Sequence, residues 1–126
     1  MNRWLLDTNA LIWLFEGSER MSMAQKLFSV PGTRVYISVV SWWEIAIKVR
    51  TGKLRVNIPQ LESFVNEYNF FDLPLTKIYL KAYLELPYLH KDPFDHMLLA
   101  QAITCPMRFI TGDSFLAEYS SLVMVI

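Results

Sequence analysis

Four carboxylates stand where they could do chemistry: Asp7, Glu44, Asp95 and Asp113. Asp7 directly follows the apolar run WLL, and Asp113 follows RFI by a Thr–Gly step. Glu44 lies inside SVVSWWEIAIKV, where Trp42, Trp43, Ile45 and Ala46 leave little room for a solvated face. Asp95 stands three residues after Asp92 in HKDPFDHMLLAQAI, at the head of a very apolar segment. Gathered in one place, four acids would repel one another and raise each other's pKa values. A divalent cation resolves that conflict. Oxygen-only ligands suit Mg²⁺ or Mn²⁺ and disfavour zinc. The single cysteine and two histidines also leave too few soft ligands for an ordinary structural zinc site. Water acidified by such a cation is a natural nucleophile for phosphodiester hydrolysis.

Each acid also has a purely structural reading. Asp7 can cap the helix that follows it, and Asp113 can be a turn residue after Gly112. Asp92 is a good N-cap, Pro93 suits the first helical position, and Asp95 then meets the positive end of the helix dipole. Glu44 and Lys48 are four apart and can form an exposed ion pair worth a few tenths of a kcal/mol (about 0.3). Acids at matching strand ends are harder to dismiss together than singly.

The elements that would position these acids alternate. Trp4–Leu6 is a short strand, and Thr8 can cap a helix running to Phe15 and closing near Gly17. Met23–Val30 reads as a second helix stopped by Pro31–Gly32, and RVYIS (Arg34–Ser38) as a strand. Helices follow over Val39–Arg50, from Pro59 to about Tyr68, over Leu75–Leu84 and over Phe94–Ile103. Further strands are read at Phe70–Leu73, Met107–Ile110 and Leu122–Val125. Such alternation predicts a single α/β domain across residues 1–126, with a central, mostly parallel sheet of four to five short strands flanked by helices. In such sheets ligands bind beyond the carboxyl ends of the strands, near a topological switch point. Asp7 and Asp113 are expected at that edge.

The 126 residues suit one domain with one core. At 53% hydrophobic and 19% charged the chain is folded and core-rich. A formal net charge of zero removes any argument from global basicity, so nucleic-acid binding would need a local patch. One cysteine, Cys105, excludes an internal disulfide and fits a reducing cytoplasm. No signal peptide is evident in MNRWLLDTN, and the longest apolar runs fall far short of a membrane span. A cytoplasmic protein without a membrane anchor is expected.

The acids and their settings resemble a known family. LLDTNALIW (Leu5–Trp13), ISVVSWWEIAIKVRTGKL (Ile37–Leu54), HKDPFDHMLLAQA (His90–Ala102) and FITGD (Phe109–Asp113) are similar, in this order, to PIN-domain ribonucleases of the VapC type. These are toxins of bacterial type II toxin–antitoxin pairs. The resemblance implies a metal-dependent endoribonuclease that leaves a 5′-phosphate and a 3′-hydroxyl, with Mg²⁺ or Mn²⁺ as cofactor. It implies a cognate antitoxin protein and a homodimer or toxin–antitoxin hetero-oligomer as partners. By position, Asp7 and Asp95 become the firmest metal ligands, with Glu44 and Asp113 completing the site directly or through water. Thr8, Asn9 and Thr111 become polar helpers. Asp92 falls outside this quartet and keeps its capping role. His96 stands where the family often has Arg, as a substrate contact or as a structural residue.

Lys48, Arg50, Lys53 and Arg55 form a local basic stretch that could hold RNA phosphates near the metal. They could equally be cations complementing a helix end. Trp13, Phe15, Trp42 and Trp43 read first as core or interface residues. Two rival readings share the acids. One is a PIN-type RNA-maturation nuclease without a toxin role. The other is a non-enzymatic phospho-acceptor domain, which would want adjacent acids after the first strand and a late Lys; neither is present.

Overall fold

The computed structural model describes residues 2–87 and 92–126. Five short strands form its sheet: β1 (Arg3–Leu6), β2 (Arg34–Ser38), β3 (Phe71–Leu73), β4 (Arg108–Thr111) and β5 (Val123–Val125). Their order is β3-β2-β1-β4-β5, and every neighbouring pair is parallel. Leu5 lies opposite Tyr36 on one side and Phe109 on the other. Alternate residues point to opposite faces, so Trp4, Leu6, Val35, Ile37 and Ile110 enter one core layer while Leu5, Phe109 and Leu73 enter the other. Burial on both faces explains why these strands read as continuous apolar runs.

Six α-helices among the described residues cover the sheet: α1 (Thr8–Phe15), α2 (Ser22–Phe28), α3 (Val39–Arg50), α4 (Ile58–Glu67), α5 (Leu80–Glu85) and α6 (Pro93–Thr104). Ala10, Leu11, Ala24, Leu61 and Val65 pack α1, α2 and α4 into the first layer. Leu98, Leu99 and Ala102 anchor α6 in the second. Helix α3 serves both, giving Ile45 to one layer and Val40 to the other. No helix of the described residues is long and apolar enough to cross a membrane.

The chain moves from β1 outward to β2 and β3, then returns past β1 to β4 and β5. The direction therefore reverses between β1 and β4, which makes the carboxyl ends of those strands the switch point. Three hydrogen bonds fix the helices around it. Ser38 Oγ accepts from Val40 N, capping α3, and Ser38 Oγ–H donates to Gln101 Oε1 on α6 at 2.5 Å. Gln101 Nε2 in turn donates to the Pro74 carbonyl at 3.2 Å, tying α6 to the segment after β3.

Three expectations shift. Asp7, and not Thr8, is the N-cap of α1, because its Oδ1 accepts from Ala10 N. Helix α2 runs over Ser22–Phe28, ending before Val30. The helix expected over Leu75–Leu84 starts late, as a 3₁₀ turn at Lys77–Tyr79 leading into α5. Thr76 is extended (φ −129, ψ 169), so no helical turn forms directly after Pro74 and Leu75. The mostly parallel sheet is, in the described residues, parallel throughout. His90 and Lys91, the first residues of the third motif, lie outside the described residues.

Candidate active site

Asp7 leaves β1 at the switch point and is 3% exposed. Its two carboxylate oxygens have different jobs. Oδ1 accepts from Ala10 N at 2.7 Å, which caps α1. Oδ2 accepts from the Thr111 hydroxyl at the end of β4, at 2.6 Å. Burial pushes the Asp7 pKa up from 3.8 to about 6, and the Glu44 charge pushes the same way. The hydrogen bonds from Thr111, Ala10 N and Gly112 N pull it back only in part.

Asp95 sits in the first turn of α6 and is half-buried. Its pKa rises from 3.8 to about 8. Burial is the largest cause; the charges of Asp92, Asp7 and Glu44 follow, together with a hydrogen bond to Asp92 that favours the protonated carboxyl. Asp7, Glu44 and Asp95 are thus close enough to feel one another as charges, from three separate elements.

Glu44 is buried at 6% exposure on α3. Oε2 accepts from Lys48 Nζ at 2.8 Å, so the i,i+4 pair forms. The pair is not the exposed one considered from sequence, since the Glu44 side chain is 8% exposed and that of Lys48 36%. Glu44 Oε1 is buried and has no hydrogen-bond partner among the described residues. A buried carboxylate oxygen left this way costs free energy unless something positive reaches it.

Asp113 joins through the backbone. Its N–H donates to Thr111 Oγ1 at 3.0 Å, and its Oδ1 accepts from Phe115 N at 2.9 Å, capping the 3₁₀ turn Ser114–Glu118. Thr111 Oγ1 therefore links Asp7 to Asp113. Among the described residues no group of three His, Cys, Asp or Glu side chains is arranged to hold a metal ion as it stands. The donor set still fits Mg²⁺ or Mn²⁺, because such an ion takes few direct carboxylates and completes its shell with water. The orphaned Glu44 oxygen and the raised pKa values of Asp7 and Asp95 mark where positive charge is missing.

The polar helpers separate. Thr111 is buried against Asp7, whereas Thr8 is buried with its hydroxyl donating to Ser41 Oγ at 3.1 Å. Asn9 is exposed. The basic stretch separates too. Lys48 and Lys53 line a groove of about 500 Å³ that they share with Glu44, Thr51, Asp92 and Phe94. Arg50 and Arg55 are exposed, and neither lines that groove. His96 is buried at 4% exposure, 3.3 Å from the Tyr119 hydroxyl and edge-on to the Tyr83 and Tyr119 rings. That is a packing position, not the surface position an RNA contact needs.

Asp92 does more than the sequence suggested. It caps α6 as expected, its Oδ1 accepting from Phe94 N at 2.9 Å and Asp95 N at 3.2 Å. It also acts directly on the Asp95 carboxyl. The D-x-x-D spacing was the available signal, since it is that of a capping box, whose third residue reaches back to the cap.

Residues 4–122 match the PIN domain family. No curated protein matches the chain significantly in sequence. Solved structures match it closely in shape. VapBC2 from Rickettsia felis bound to a DNA fragment from their promoter gives a TM-score of 0.74 at 14% identity, covering 98% of this chain and 97% of that one. A toxin–antitoxin complex from Klebsiella pneumoniae gives 0.69 at 20% identity, covering 96% and 95%. FitAB bound to an IR36 DNA fragment gives 0.65 at 19% identity, covering 97% and 94%. At these identities the structural likeness is one of fold; the family match, with coupled acids at the sheet's switch point, places the chain in the PIN domain family of nucleases.

Proposed function

We propose that the chain is a divalent-metal-dependent endoribonuclease and the toxin of a type II toxin–antitoxin pair, acting in the cytoplasm. The observation that carries the chemistry is the buried, unpartnered Glu44 Oε1 beside two acids with raised pKa values. Asp7 and Asp95 would hold Mg²⁺ or Mn²⁺ directly, and Glu44 and Asp113 directly or through water. When bound, the ion neutralises charge and acidifies water for attack on phosphorus.

The rest is done by the chain's own groups. Thr111 and the Ala10 amide fix the rotamer of Asp7, so one carboxylate is preorganised by the fold. Asp95 carries a proton at neutral pH and leans on Asp92; that proton must leave before Asp95 can act as a ligand or acceptor. Lys48 holds Glu44 in place, and Lys48 with Lys53 offers positive charge to phosphates in the groove. RNA is the substrate this arrangement serves.

The toxin role draws on the neighbours. A toxin–antitoxin complex and the VapBC2 and FitAB assemblies share the fold over almost the whole chain. A small cognate antitoxin is therefore the proposed partner, in a toxin–antitoxin hetero-oligomer or alongside a homodimer. The test is an RNA cleavage assay with Mg²⁺, Mn²⁺ or chelator, beside growth on induction with and without a co-expressed neighbouring reading frame. Cleavage that needs the metal, and toxicity relieved by the partner, are expected. Cleavage indifferent to chelator would sink the metal assignment; a non-toxic but active chain would move the protein to RNA maturation.

A further inference from the structure

Trp13 lies in the last turn of α1 and is half-buried against the first core layer. Its indole is held on two sides. The Arg20 guanidinium lies over one face, 3.8 Å from the ring centroid. The far edge of the ring abuts Gly112, the residue between Thr111 and Asp113. A Cβ on Gly112 would fall 2.8 Å from Trp13 Cζ3, nearer still to Cη2, and 3.1 Å from Arg20 Nη2. Gly112, unlike Gly17, Gly32 and Gly52, has no positive φ, so close approach and not backbone conformation calls for glycine here.

The contacts close a circuit around the strand end. Arg20 Nη2 donates to the Ile126 carbonyl at 3.0 Å, and Ile126 N donates to the Thr111 carbonyl at 2.9 Å. The Thr111 hydroxyl donates to Asp7 and accepts from Asp113 N, and Gly112 N also donates to Asp7. Asp7 in turn caps the helix that carries Trp13. Core burial alone would be met by any apolar side chain at position 13. A flat face under a guanidinium and an edge against a bare glycine call for a large aromatic ring.

We infer that Trp13 and Arg20 are positioning residues: through Gly112 and Ile126 they clamp the Thr111–Asp113 turn, and so set where Asp113 stands relative to Asp7. This rests on the metal-dependent reading and adds to the cation site two residues that lie outside the acid cluster. Arg20 acts through its flat face and its fork of donors, neither of which a lysine has.

The test measures Mn²⁺ affinity by calorimetry and exchange of the Asp113 amide by NMR. The chains compared are the parent, Gly112→Ala, Gly112→Ala with Trp13→Phe, and Arg20→Lys. Thermal melts show that each is folded. Gly112→Ala drives ring and turn apart, so it should weaken Mn²⁺ binding about tenfold or more and speed Asp113 exchange. Adding Trp13→Phe, whose smaller ring leaves room for the new Cβ, should recover most of both losses. A general loss of packing would add a second loss instead. Arg20→Lys, at an exposed position, should weaken Mn²⁺ binding about threefold. Parent-like affinity and exchange in Gly112→Ala would overturn the clamp, as would a double variant no better than Gly112→Ala. If Gly112→Ala does not fold, Arg20→Lys decides: a lowered melting temperature with unchanged Mn²⁺ affinity overturns the clamp. The two readings fail separately. A parent that binds no Mn²⁺ defeats the metal reading and the clamp with it; a parent that binds, with variants that match it, defeats the clamp alone.

Discussion

Asp7 and Glu44 are both buried carboxylates at the same edge of the sheet, yet the fold treats them in opposite ways. Both oxygens of Asp7 are satisfied, by Ala10 N and by Thr111. One oxygen of Glu44 is held by Lys48 and the other has no partner among the described residues. The strand end, where β1 and β4 run side by side, is a finished piece of structure. The ridge formed by α3 and α6 is unfinished: Glu44 lacks a donor, and Asp95 keeps a proton under the charges of Asp92, Asp7 and Glu44. On the proposed metal-dependent reading, folding completes one half of the site and a bound cation would complete the other. A structural ion-pair cluster would have satisfied both.

The largest effect expected from breaking this arrangement is on catalysis. Asp95→Asn and Asp7→Asn should each lower RNA cleavage by about a thousandfold or more, a loss of roughly 4 kcal/mol in transition-state stabilisation. Their effects on stability should differ. Asp95→Asn puts a permanently neutral amide where burial and neighbouring acids already disfavour the ionised carboxyl, so the metal-free melting temperature should hold near neutral pH and rise towards alkaline pH. Asp7→Asn keeps a good N-cap but disturbs the Thr111 contact, so it should hold or fall. Equal melting shifts for the two variants would contradict the division. Glu44→Gln ranks next. It supplies an amide where an unpartnered oxygen now sits, and should cost about 10- to 100-fold in activity while raising metal-free stability.

Acidity sharpens the same comparison. Folding raises Asp7 from 3.8 to about 6 and Asp95 from 3.8 to about 8. Between those values the folded chain binds more protons than the unfolded one, so metal-free stability should fall as pH rises through that window and level off below it. Added Mg²⁺ should stabilise more at the alkaline end, where the carboxylates are free to bind it. Thermal melts across pH, with and without Mg²⁺, read both trends; a metal-free melting temperature that climbs with pH would contradict them. Smaller still, Thr111→Val removes the hydrogen bond to Asp7 and the acceptor for Asp113 N. It should cost about 1–3 kcal/mol in chemical denaturation. Asp92→Asn should have the smallest effect, within about 0.5 kcal/mol, because Asn caps as well as Asp and one repelling charge goes.

Much of the framework that positions both halves was legible in the sequence. RVYIS forms β2 and Val39–Arg50 forms α3 with the expected bounds, because β-branched and apolar residues sit at the right periods. Asp7 and Asp113 could be placed at strand ends because short apolar runs stop abruptly before them. The unfinished half was less legible. That Asp92 presses on Asp95 depends on the depth of the α6 start: the D-x-x-D spacing puts the two within reach but does not report their burial. His96 was open to a substrate contact or a structural role because it stands where the resembled family often has Arg; Tyr83 and Tyr119, brought in from other elements, enclose it. The basic stretch looked uniform in sequence, but only Lys48 and Lys53 of its four cations turn into the groove. Tertiary packing decides such facts, and periodicity does not report them.

On the proposed function, Asp7, Glu44 and Asp95 form one cation-binding unit whose last protons leave when the ion arrives. Calorimetric titration of Mg²⁺ or Mn²⁺ at pH 7, repeated in buffers of different ionisation enthalpy, counts those protons. Saturable binding is expected, with release of about one proton per ion, chiefly from Asp95, and loss of that release in Asp95→Asn. Binding without proton release, or no binding at all, would contradict it.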